Sequence, residues 1–217
     1  MQARVVEPRP VELWERAFII VNMEPYPSRW VIAEYTEASR VAREHGYRLI
    51  VAGASPQLRA ILSRRSVEAT GMNVYSLCRG RLAVTLDLWA DRVLEPWEAA
   101  SVNCILVGGI MGDHPPRGRG MLLSLENPWA PPRSLGPWQL SVDGTVKLTL
   151  QAIQRGVRPD MLEVVEGVSL EVDAGLGKVT VELPFAYPLR DGKPWISGEL
   201  VRLLARGIAW DEEALMR

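Results

Sequence analysis

The segment from Val107 to Arg117 carries the densest set of chemically useful residues in the chain, reading Val-Gly-Gly-Ile-Met-Gly-Asp-His-Pro-Pro-Arg. Its glycines let the backbone approach a ligand closely and leave amides free to donate hydrogen bonds. Asp113 and His114 add titratable groups, and the two prolines fix the direction of Arg117. A sharp turn capped by Asp113 is the purely structural alternative. Because glycines, acid, imidazole and arginine coincide after an apolar strand, the segment predicts a ligand site, and we expect Gly109→Val to block it.

This site is not a phosphate loop. No Gly-Lys-Ser or Gly-Lys-Thr follows the glycines, and their spacing does not match the dinucleotide fingerprint.

A second candidate loop runs from Ser134 to Val146 and leads into a helix that is predicted to begin near Asp143. The amides at a helix N-terminus lack partners within the helix, so they can hold the polar edge of an adenine or a carboxylate. An ordinary helix entry with Asp143 as N-cap is the alternative, and it is the stronger interpretation of this loop taken alone.

The elements that position these loops alternate along the chain. Continuous apolar runs of strand length are Ala17–Val21, Tyr47–Ala52, Arg81–Leu88 and Cys104–Gly109. Amphipathic helices between them begin at cap or first-turn residues, namely Ser28, Ser55 (with a helix through Arg65) and Pro96. This alternation predicts an α/β fold with a parallel sheet covered on both faces. Ligands bind outside the carboxyl ends of such strands, where the glycine loop lies.

The last third of the chain has the pattern of hairpins. Val168–Val172 and Lys178–Leu183 alternate apolar and polar residues, Asp191-Gly192 is a second turn signal, and Ser197 can cap a closing helix. We therefore predict a domain over residues 1–156, with an N-terminal arm, and a β-rich extension over residues 157–217 packed on it. Six aliphatic side chains of the hairpin must be buried: Val168, Leu170, Val172, Val179, Val181 and Leu183. Packing of this extension on its own domain predicts a monomer, and the alternative is a dimer built by the extension.

Composition limits the classes of function. The 217 residues are 47% hydrophobic and 24% charged, as in an ordinary globular protein. A net charge of −1 argues against extended, sequence-independent nucleic-acid binding. Cys78 and Cys104 are too few for a disulfide framework or a Cys-rich zinc site, so reduced thiols are the simplest interpretation, with one disulfide left open. No apolar run is long enough to span a membrane and no secretion signal is visible, so a cytoplasmic location is expected.

Motifs along the chain resemble the SPOUT-class protein arginine methyltransferase family, once grouped as predicted S-adenosylmethionine-dependent RNA methyltransferases. The residues that carry the resemblance are Gly108–Arg117, Asn22-Met-Glu24, Trp30-Val-Ile-Ala-Glu-Tyr35, Leu135-Gly136, Gln139-Leu140, Leu183-Pro-Phe185 and Gly192-Lys-Pro194. The Gly-Asp-His-Pro-Pro-Arg block is the specific one. The chain departs from the family in its N-terminal arm and at Gly118–Gly120.

The resemblance implies a SPOUT-type, mostly parallel α/β sheet with a trefoil knot and a C-terminal β-hairpin and helix extension. It also implies that S-adenosylmethionine binds, bent, within three loops at Leu86–Leu88, Gly108–His114 and Leu135–Thr145. The expected cofactor contacts are Leu86, Asp87, Gly108, Gly109, Ile110, Gly112, Asp113, Leu135, Gly136, Gln139, Leu140 and Thr145. No metal is needed, because the methyl group of a sulfonium is already activated.

An arginine nucleophile makes one demand on the protein. Guanidinium stays protonated, so carboxylates must orient it and localise its charge. Asp113 is the first candidate, and Glu24 or Glu34 the second. His114 is a candidate proton acceptor, with a structural role as its alternative. Trp30, Glu24, Glu34 and Arg117 are the expected substrate contacts, although Glu34 on a helix is also typical of a solvated face.

Further aromatic and basic residues lie near the loops. Trp129 and Trp138 are expected in the core. Arg117, Arg119 and Arg133 form either a basic rim or ion pairs with acids of the chain.

Three functions follow. The first is an arginine methyltransferase acting on a protein of the translation machinery, with S-adenosylmethionine as cofactor. The second is an RNA methyltransferase, and the third is a ribosome- or RNA-binding module without catalysis. The near-neutral charge favours a protein target over RNA.

Overall fold

The structure, a computed structural model, describes residues 16–24, 26–110, 118–173 and 178–205. The N-terminal arm therefore lies outside the described residues. So do Gly112, Asp113, His114 and Arg117.

Six strands form one sheet in the order β3-β2-β1-β5-β4-β6, and every pairing between them is parallel. The strands are β1 (Ala17–Asn22), β2 (Arg48–Ala52), β3 (Glu68–Ala69), β4 (Ala83–Leu86), β5 (Cys104–Gly109) and β6 (Pro132–Arg133). The predicted parallel α/β sheet is confirmed. Two strands are shorter than the apolar runs that predicted them: β2 begins at Arg48 rather than at Tyr47, and β4 covers only Ala83–Leu86 of Arg81–Leu88.

Helices lie on both faces of the sheet. They are α1 (Arg29–Glu44), α2 (Pro56–Ser63), α3 (Val74–Cys78), α4 (Pro96–Ser101), α5 (Arg119–Glu126) and α6 (Val142–Arg155). The predicted caps are confirmed, because Ser28 Oγ accepts from the Val31 amide and Ser55 Oγ from the Leu58 amide. Among the described residues, none of the helices is both long and apolar enough to span a membrane.

The apolar runs are continuous because each strand contributes to two cores. Phe18 and Ile20 of β1 point into one core with α1 and α6, whereas Ala17 and Ile19 point into the other with α3 and α5. A strand buried on both faces has no polar alternation, which is why periodicity alone cannot distinguish its two sides.

The C-terminal extension is a small antiparallel sheet with a helix. A 3₁₀ turn (Pro159–Met161) leads to β7 (Val164–Asp173), β8 (Lys178–Arg190), β9 (Lys193–Pro194) and α7 (Gly198–Ala205). The Asp191-Gly192 turn is confirmed by the positive φ of both residues, 53° and 72°. The Ser197 cap is also confirmed, since its hydroxyl oxygen accepts from the Leu200 amide.

The six aliphatic side chains of the hairpin form three cross-strand pairs: Val168 with Leu183, Leu170 with Val181, and Val172 with Val179. Their predicted burial is wrong for Val179, which is 41% exposed near the end of the hairpin. The buried members join a third core with α7 and Trp30 of α1. The extension thus packs on α1 as well as on itself, and Arg65, in the turn after α2, pairs with Glu199 of α7.

Cys78 at the end of α3 and Cys104 at the start of β5 are joined by a disulfide. The interpretation as reduced thiols is therefore wrong, and the alternative that was left open is the observed one. Both cysteines are buried in the core between α3 and the sheet, where spacing along the sequence gives no indication of their proximity.

We expect removal of this disulfide to destabilise the protein by about 3 kcal/mol, the chain-entropy value for a loop closed over 26 residues. Thermal unfolding of the wild type with and without reductant measures the effect, and Cys78→Ala/Cys104→Ala should be insensitive to reductant. Alkylation of both thiols in unreduced, denatured protein would show that the bond is absent.

Candidate functional site

The carboxyl edge of the sheet brings together the ends of β1, β4 and β5 and the loop that leads into α6. Asn22 lies opposite Gly109 in the parallel ladder, and the Met23 amide donates to the Gly109 carbonyl at 3.1 Å. The Asn22–Glu24 and Gly108–Ile110 segments, which are far apart in sequence, are therefore neighbours in the structure.

Tyr35 of α1 fixes the end of β5. Its buried hydroxyl donates to the Gly109 carbonyl at 2.9 Å. Burial, followed by the negative charges of Glu34 and Glu24, raises the pKa of Tyr35, so its hydroxyl stays protonated and remains a donor. Glu24, half-buried just beyond β1, is held at the same edge by Asn22, whose side-chain amide donates to the Glu24 carbonyl at 3.0 Å.

Gly109 is required by packing inside the protein. A Cβ atom there would overlap the Tyr35 hydroxyl and lie 2.6 Å from Ile20 Cγ2 and 2.7 Å from the Val21 carbonyl oxygen. Gly109→Val would therefore disrupt packing inside the protein, because the added side chain would strike β1 and α1, and its expected obstruction of a ligand stays a prediction. A Cβ atom at Gly108 meets only ordinary contacts, the nearest at 3.7 Å from Met23 Sδ.

The end of β4 is tied to α5 through Asp87. The Asp87 carboxylate accepts from the Trp89 amide at 3.0 Å and from Ser124 Oγ at 2.7 Å. Leu86, the residue before it, is buried in the core beneath α1 and α6. These contacts hold the first predicted cofactor loop to the helix that follows the glycine segment.

The loop before α6 makes a tight turn at Gly136, whose φ is +128°. A Cβ atom there would overlap the Trp138 ring, which packs against the main core beside the buried Leu135. The core assignment of Trp138 is supported, and Trp129 packs likewise against the second core. Gly136 therefore serves the packing of this loop on its own tryptophan.

Gln139 presents a buried acceptor in the same loop. The main-chain carbonyl oxygen of Gln139 accepts from the Ala186 amide of β8 at 2.8 Å, and Leu140 forms an isolated β-bridge with Ala186. Its side-chain Oε1, however, is buried without a hydrogen-bond partner among the described residues. An unsatisfied buried acceptor costs roughly 1–3 kcal/mol, so a donor from a ligand would be stabilising here.

The N-cap of α6 is Ser141, so the prediction of Asp143 as cap is wrong. Ser141 Oγ accepts from the Gly144 amide at 3.1 Å and donates to Asp143 Oδ1 at 2.7 Å. The other carboxylate oxygen of Asp143 accepts from Lys147 Nζ at 2.7 Å. Thr145 Oγ1 donates to the Ser141 carbonyl at 3.0 Å.

Glu34 is 2% exposed, so its interpretation as a solvated helix residue is wrong. Its Oε1 accepts from Trp30 Nε1 at 2.6 Å and its Oε2 from the Val142 amide of α6 at 2.9 Å. Burial, and then the negative charge of Asp143, raises the pKa of Glu34 to about 8. Both carboxylate oxygens, and the indole N–H of Trp30, are thus engaged inside the protein.

Sequence reasoning missed Lys147, whose side chain has no exposed surface. Besides Asp143 it contacts Glu37 of α1 at 3.4 Å and the Trp195 carbonyl of the extension at 2.9 Å. Its signal in the sequence was an Asp-Lys pair at i,i+4, which is usually a solvated feature of a helix surface. Only the packing of α1 and the extension on α6 shows that this pair is buried.

Arg133 does not belong to the basic rim proposed from the sequence. Its guanidinium donates to both carboxylate oxygens of Glu98, at 2.8 and 2.6 Å, and its side chain is buried. The alternative of pairing with an acid of the chain is correct for this arginine. Arg117 and the side chain of Arg119 lie outside the described residues. Within the described ranges, no group of three His, Cys, Asp or Glu side chains could hold a metal ion.

The fold is that of the SPOUT methyltransferases. The structure of the yeast arginine methyltransferase SFM1 complexed with SAM matches with a TM-score of 0.75 at 23% identity, over 93% of this chain and 94% of that one. The SAH complex of the same enzyme matches with a TM-score of 0.74 at 24% identity, over 87% and 94%. The dual-specific Trm10 from Thermococcus kodakaraensis matches with a TM-score of 0.54 at 18% identity, over 67% of this chain and 95% of the crystallised one.

The family follows from sequence. The profile of the family described as protein arginine N-methyltransferase SFM1-like matches residues 17–210. The protein arginine N-methyltransferase SFM1 of Saccharomyces cerevisiae is 27% identical in an alignment of 217 positions, which covers 92% of this chain and 99% of the yeast protein. This chain belongs to the SFM1-like protein arginine N-methyltransferase family, and the resemblance seen in its motifs is confirmed.

The two neighbouring glycines of β5 provide a matched test of this edge. We expect Gly109→Ala to lower the free energy of unfolding by about 3 kcal/mol, because its methyl group meets backbone and a buried hydroxyl. Gly108→Ala should change it by less than about 1 kcal/mol. Urea unfolding of both variants measures the difference, and equal stabilities would contradict the described packing.

Proposed function

We propose that this protein is an S-adenosylmethionine-dependent methyltransferase that modifies an arginine side chain of a protein. The observation that carries the proposal is the match of residues 17–210 to the SFM1-like arginine methyltransferase family. Two matched structures of the yeast enzyme contain SAM and SAH, which supports the same cofactor here.

The described residues fit this cofactor. The buried Gln139 Oε1 needs a donor, and the cofactor carries an adenine amino group and ribose hydroxyls that can supply one. Leu86 and Leu135 belong to the main core and Leu140 packs against it. These apolar side chains come from two of the predicted cofactor loops, and Gly108 and Gly109 end β5 at the carboxyl edge of the sheet. When bound, S-adenosylmethionine supplies an activated methyl group on a sulfonium. We propose that the remaining contacts expected from the sequence, Gly112 and Asp113 among them, complete the site.

Of the three acids expected to orient the guanidinium, the structure supports Glu34 least. Glu34 has both oxygens occupied by Trp30 and Val142, so it has little capacity to bind a substrate. Asp113 and Glu24 remain, and Glu24 is supported by its position directly after Met23, whose amide donates to the Gly109 carbonyl. We assign guanidinium orientation to Asp113 with Glu24, and proton acceptance to His114.

A protein target is supported by the surface beside the site. Trp89, Met121, Leu122 and Leu125 are 44–65% exposed. The last three share a face of α5, and Trp89 Nε1 lies 3.6 Å from the Cβ position of Gly118 at the start of that helix. Exposed apolar clusters are typical of protein-binding surfaces, and RNA-binding surfaces are instead basic. Because Arg133 is buried in an ion pair, it is not available for the basic rim that an RNA target would need.

We extend the proposal to a target in the translation machinery, as implied by the resemblance of the Gly-Asp-His-Pro-Pro-Arg block to the arginine methyltransferase family. For such a target we propose a cytoplasmic location. Labelling of cell extract with methyl-tritiated cofactor, followed by fractionation of ribosomes, tests this target. Label that is lost to nuclease rather than to protease would instead establish an RNA methyltransferase. Binding of the cofactor without any labelling would establish the non-catalytic module.

We expect Asp113→Asn to reduce turnover roughly 100-fold, the usual scale for a positioned catalytic group, while affinity for S-adenosylhomocysteine changes little. The substitution keeps the shape of the side chain and removes the charge that orients a guanidinium. The labelling assay measures turnover and calorimetry measures affinity.

Asp160→Asn is the control, because the ion pair that Asp160 forms with Arg158 lies at the surface and outside the site. Wild-type turnover in Asp113→Asn would assign the role to Glu24 instead, where Glu24→Gln tests it.

We also propose that the protein is a monomer, because the extension already covers α1 with α7 and the hairpin. Light scattering at micromolar concentration should give a mass near the 24.2 kDa of one chain. A mass of twice that value would mean that the extension, or another surface, builds a dimer.

A further inference from the structure

The loop of residues 135–141, here termed the cofactor loop, is held at three points. Before it, the Ser134 amide donates to the Arg92 carbonyl at 2.8 Å and the Leu94 amide to the Ser134 carbonyl at 2.9 Å. Within it, Gln139 is held by Ala186 of β8. Directly after it, the Val142 amide donates to Glu34 Oε2 at 2.9 Å. The first two anchors are backbone bonds, whereas the third depends on a side chain that can change its charge.

This third bond satisfies a donor that α6 cannot. Val142 is the first residue of the helix, where amides have no carbonyl partner in their own helix. Ser141 Oγ serves the Gly144 amide instead, so Glu34 acts as a second cap supplied by α1. An ionised carboxylate at this position forms a charge-assisted bond and also interacts favourably with the helix dipole.

The surroundings compensate the charge of Glu34 only in part. The negative charge of Asp143 on α6 raises the pKa of Glu34, and the positive charge of Lys147 on the same helix lowers it by less. Two buried phenols also interact with Glu34, Tyr35 beside it on α1 and Tyr187 on β8, while Glu37 and Arg40 lie farther along α1. Lys147 is shared by Asp143 and Glu37, and Glu37 also pairs with Arg40. Among the described residues, Glu34 itself forms no ion pair. Burial and the charge of Asp143 therefore raise its pKa to about 8.

We propose that Glu34 is a positioning residue whose ionised carboxylate holds the Val142 amide and thereby fixes the cofactor loop, so that affinity for the cofactor rises with pH. The inference rests on the proposed function, because it assumes that this loop binds the cofactor. It goes beyond that function by giving Glu34 a role in cofactor affinity instead of one in substrate binding.

The direction follows from the two charge states. Below the pKa of Glu34 the neutral carboxyl accepts only a weak bond from Val142, and the end of the loop is less constrained. As the pH rises through about 8 the carboxylate forms, and both accepted bonds strengthen. A better-ordered loop loses less conformational freedom on binding, so affinity increases.

Calorimetric titration with S-adenosylhomocysteine between pH 6.5 and 9.5 tests the inference. We expect the wild-type Kd to fall about tenfold over this range, as for conversion of a neutral to a charge-assisted hydrogen bond. Glu34→Gln should bind S-adenosylhomocysteine weakly at every pH, and its Kd should lack the change with pH that the wild type shows. Glu44→Gln is the control: it removes an exposed acid of the same helix that pairs with Arg40, outside the network around Lys147, and it should follow the wild type.

Trp30→Phe keeps the ring but removes one donor to Glu34, a bond that lowers the pKa of this group. We expect the midpoint of the affinity profile to move to higher pH, a change that a loss of packing alone would not cause. This variant decides the question if Glu34→Gln fails to fold. If Glu34→Gln keeps the wild-type dependence of affinity on pH, or if Trp30→Phe leaves its midpoint unchanged, the inference about Glu34 is overturned. The proposed function is not affected by either result. Absence of S-adenosylhomocysteine binding in the wild type overturns the proposed function as well.

Discussion

The buried ammonium of Lys147 joins the three parts of this molecule that meet at α6. It contacts Asp143 on its own helix, Glu37 on α1 and the Trp195 carbonyl of the extension. A charge without exposed surface is tolerated only where its hydrogen bonds are satisfied, so these partners must all be in place. Such groups contribute little net stability compared with an apolar core, but removal of one partner is costly. The ammonium therefore constrains how α1, α6 and the extension are oriented.

That orientation determines the position of the loop before α6. Once α1 lies against α6, Glu34 reaches the Val142 amide, and once the extension is in place, Ala186 reaches Gln139. Gln151 of α6 adds a further bond to the Leu189 carbonyl of β8. The extension is consequently part of the support of the candidate cofactor site, in addition to covering an apolar surface.

The opposite side of the site depends on close packing of backbone. At Gly109 the strand β5 approaches β1 and Tyr35 so closely that no Cβ atom fits, and the Tyr35 hydroxyl satisfies the carbonyl there. At Gly136 the same absence of a side chain allows Trp138 to cover the turn. In both places a glycine expected to make room for a ligand makes room for the protein itself, which shows that a glycine-rich loop has two physical explanations that sequence cannot separate.

The sequence by itself determined the elements and their class. Helix caps, tight turns and strands buried on both faces depend on neighbours within a few residues, so they can be predicted from local sequence. The examples are the caps at Ser28, Ser55 and Ser197 and the Asp191-Gly192 turn. Tertiary structure alone decided the burial of Glu34 and Lys147, the pairing of Cys78 with Cys104, and the ion pair of Arg133. The contacts between elements that produce these features join residues 26 to 110 positions apart. A charged side chain at helical spacing has the same sequence pattern whether it faces water or another helix. Desolvation, which sets the pKa of Glu34, is a property of the assembled fold and has no counterpart in the order of residues.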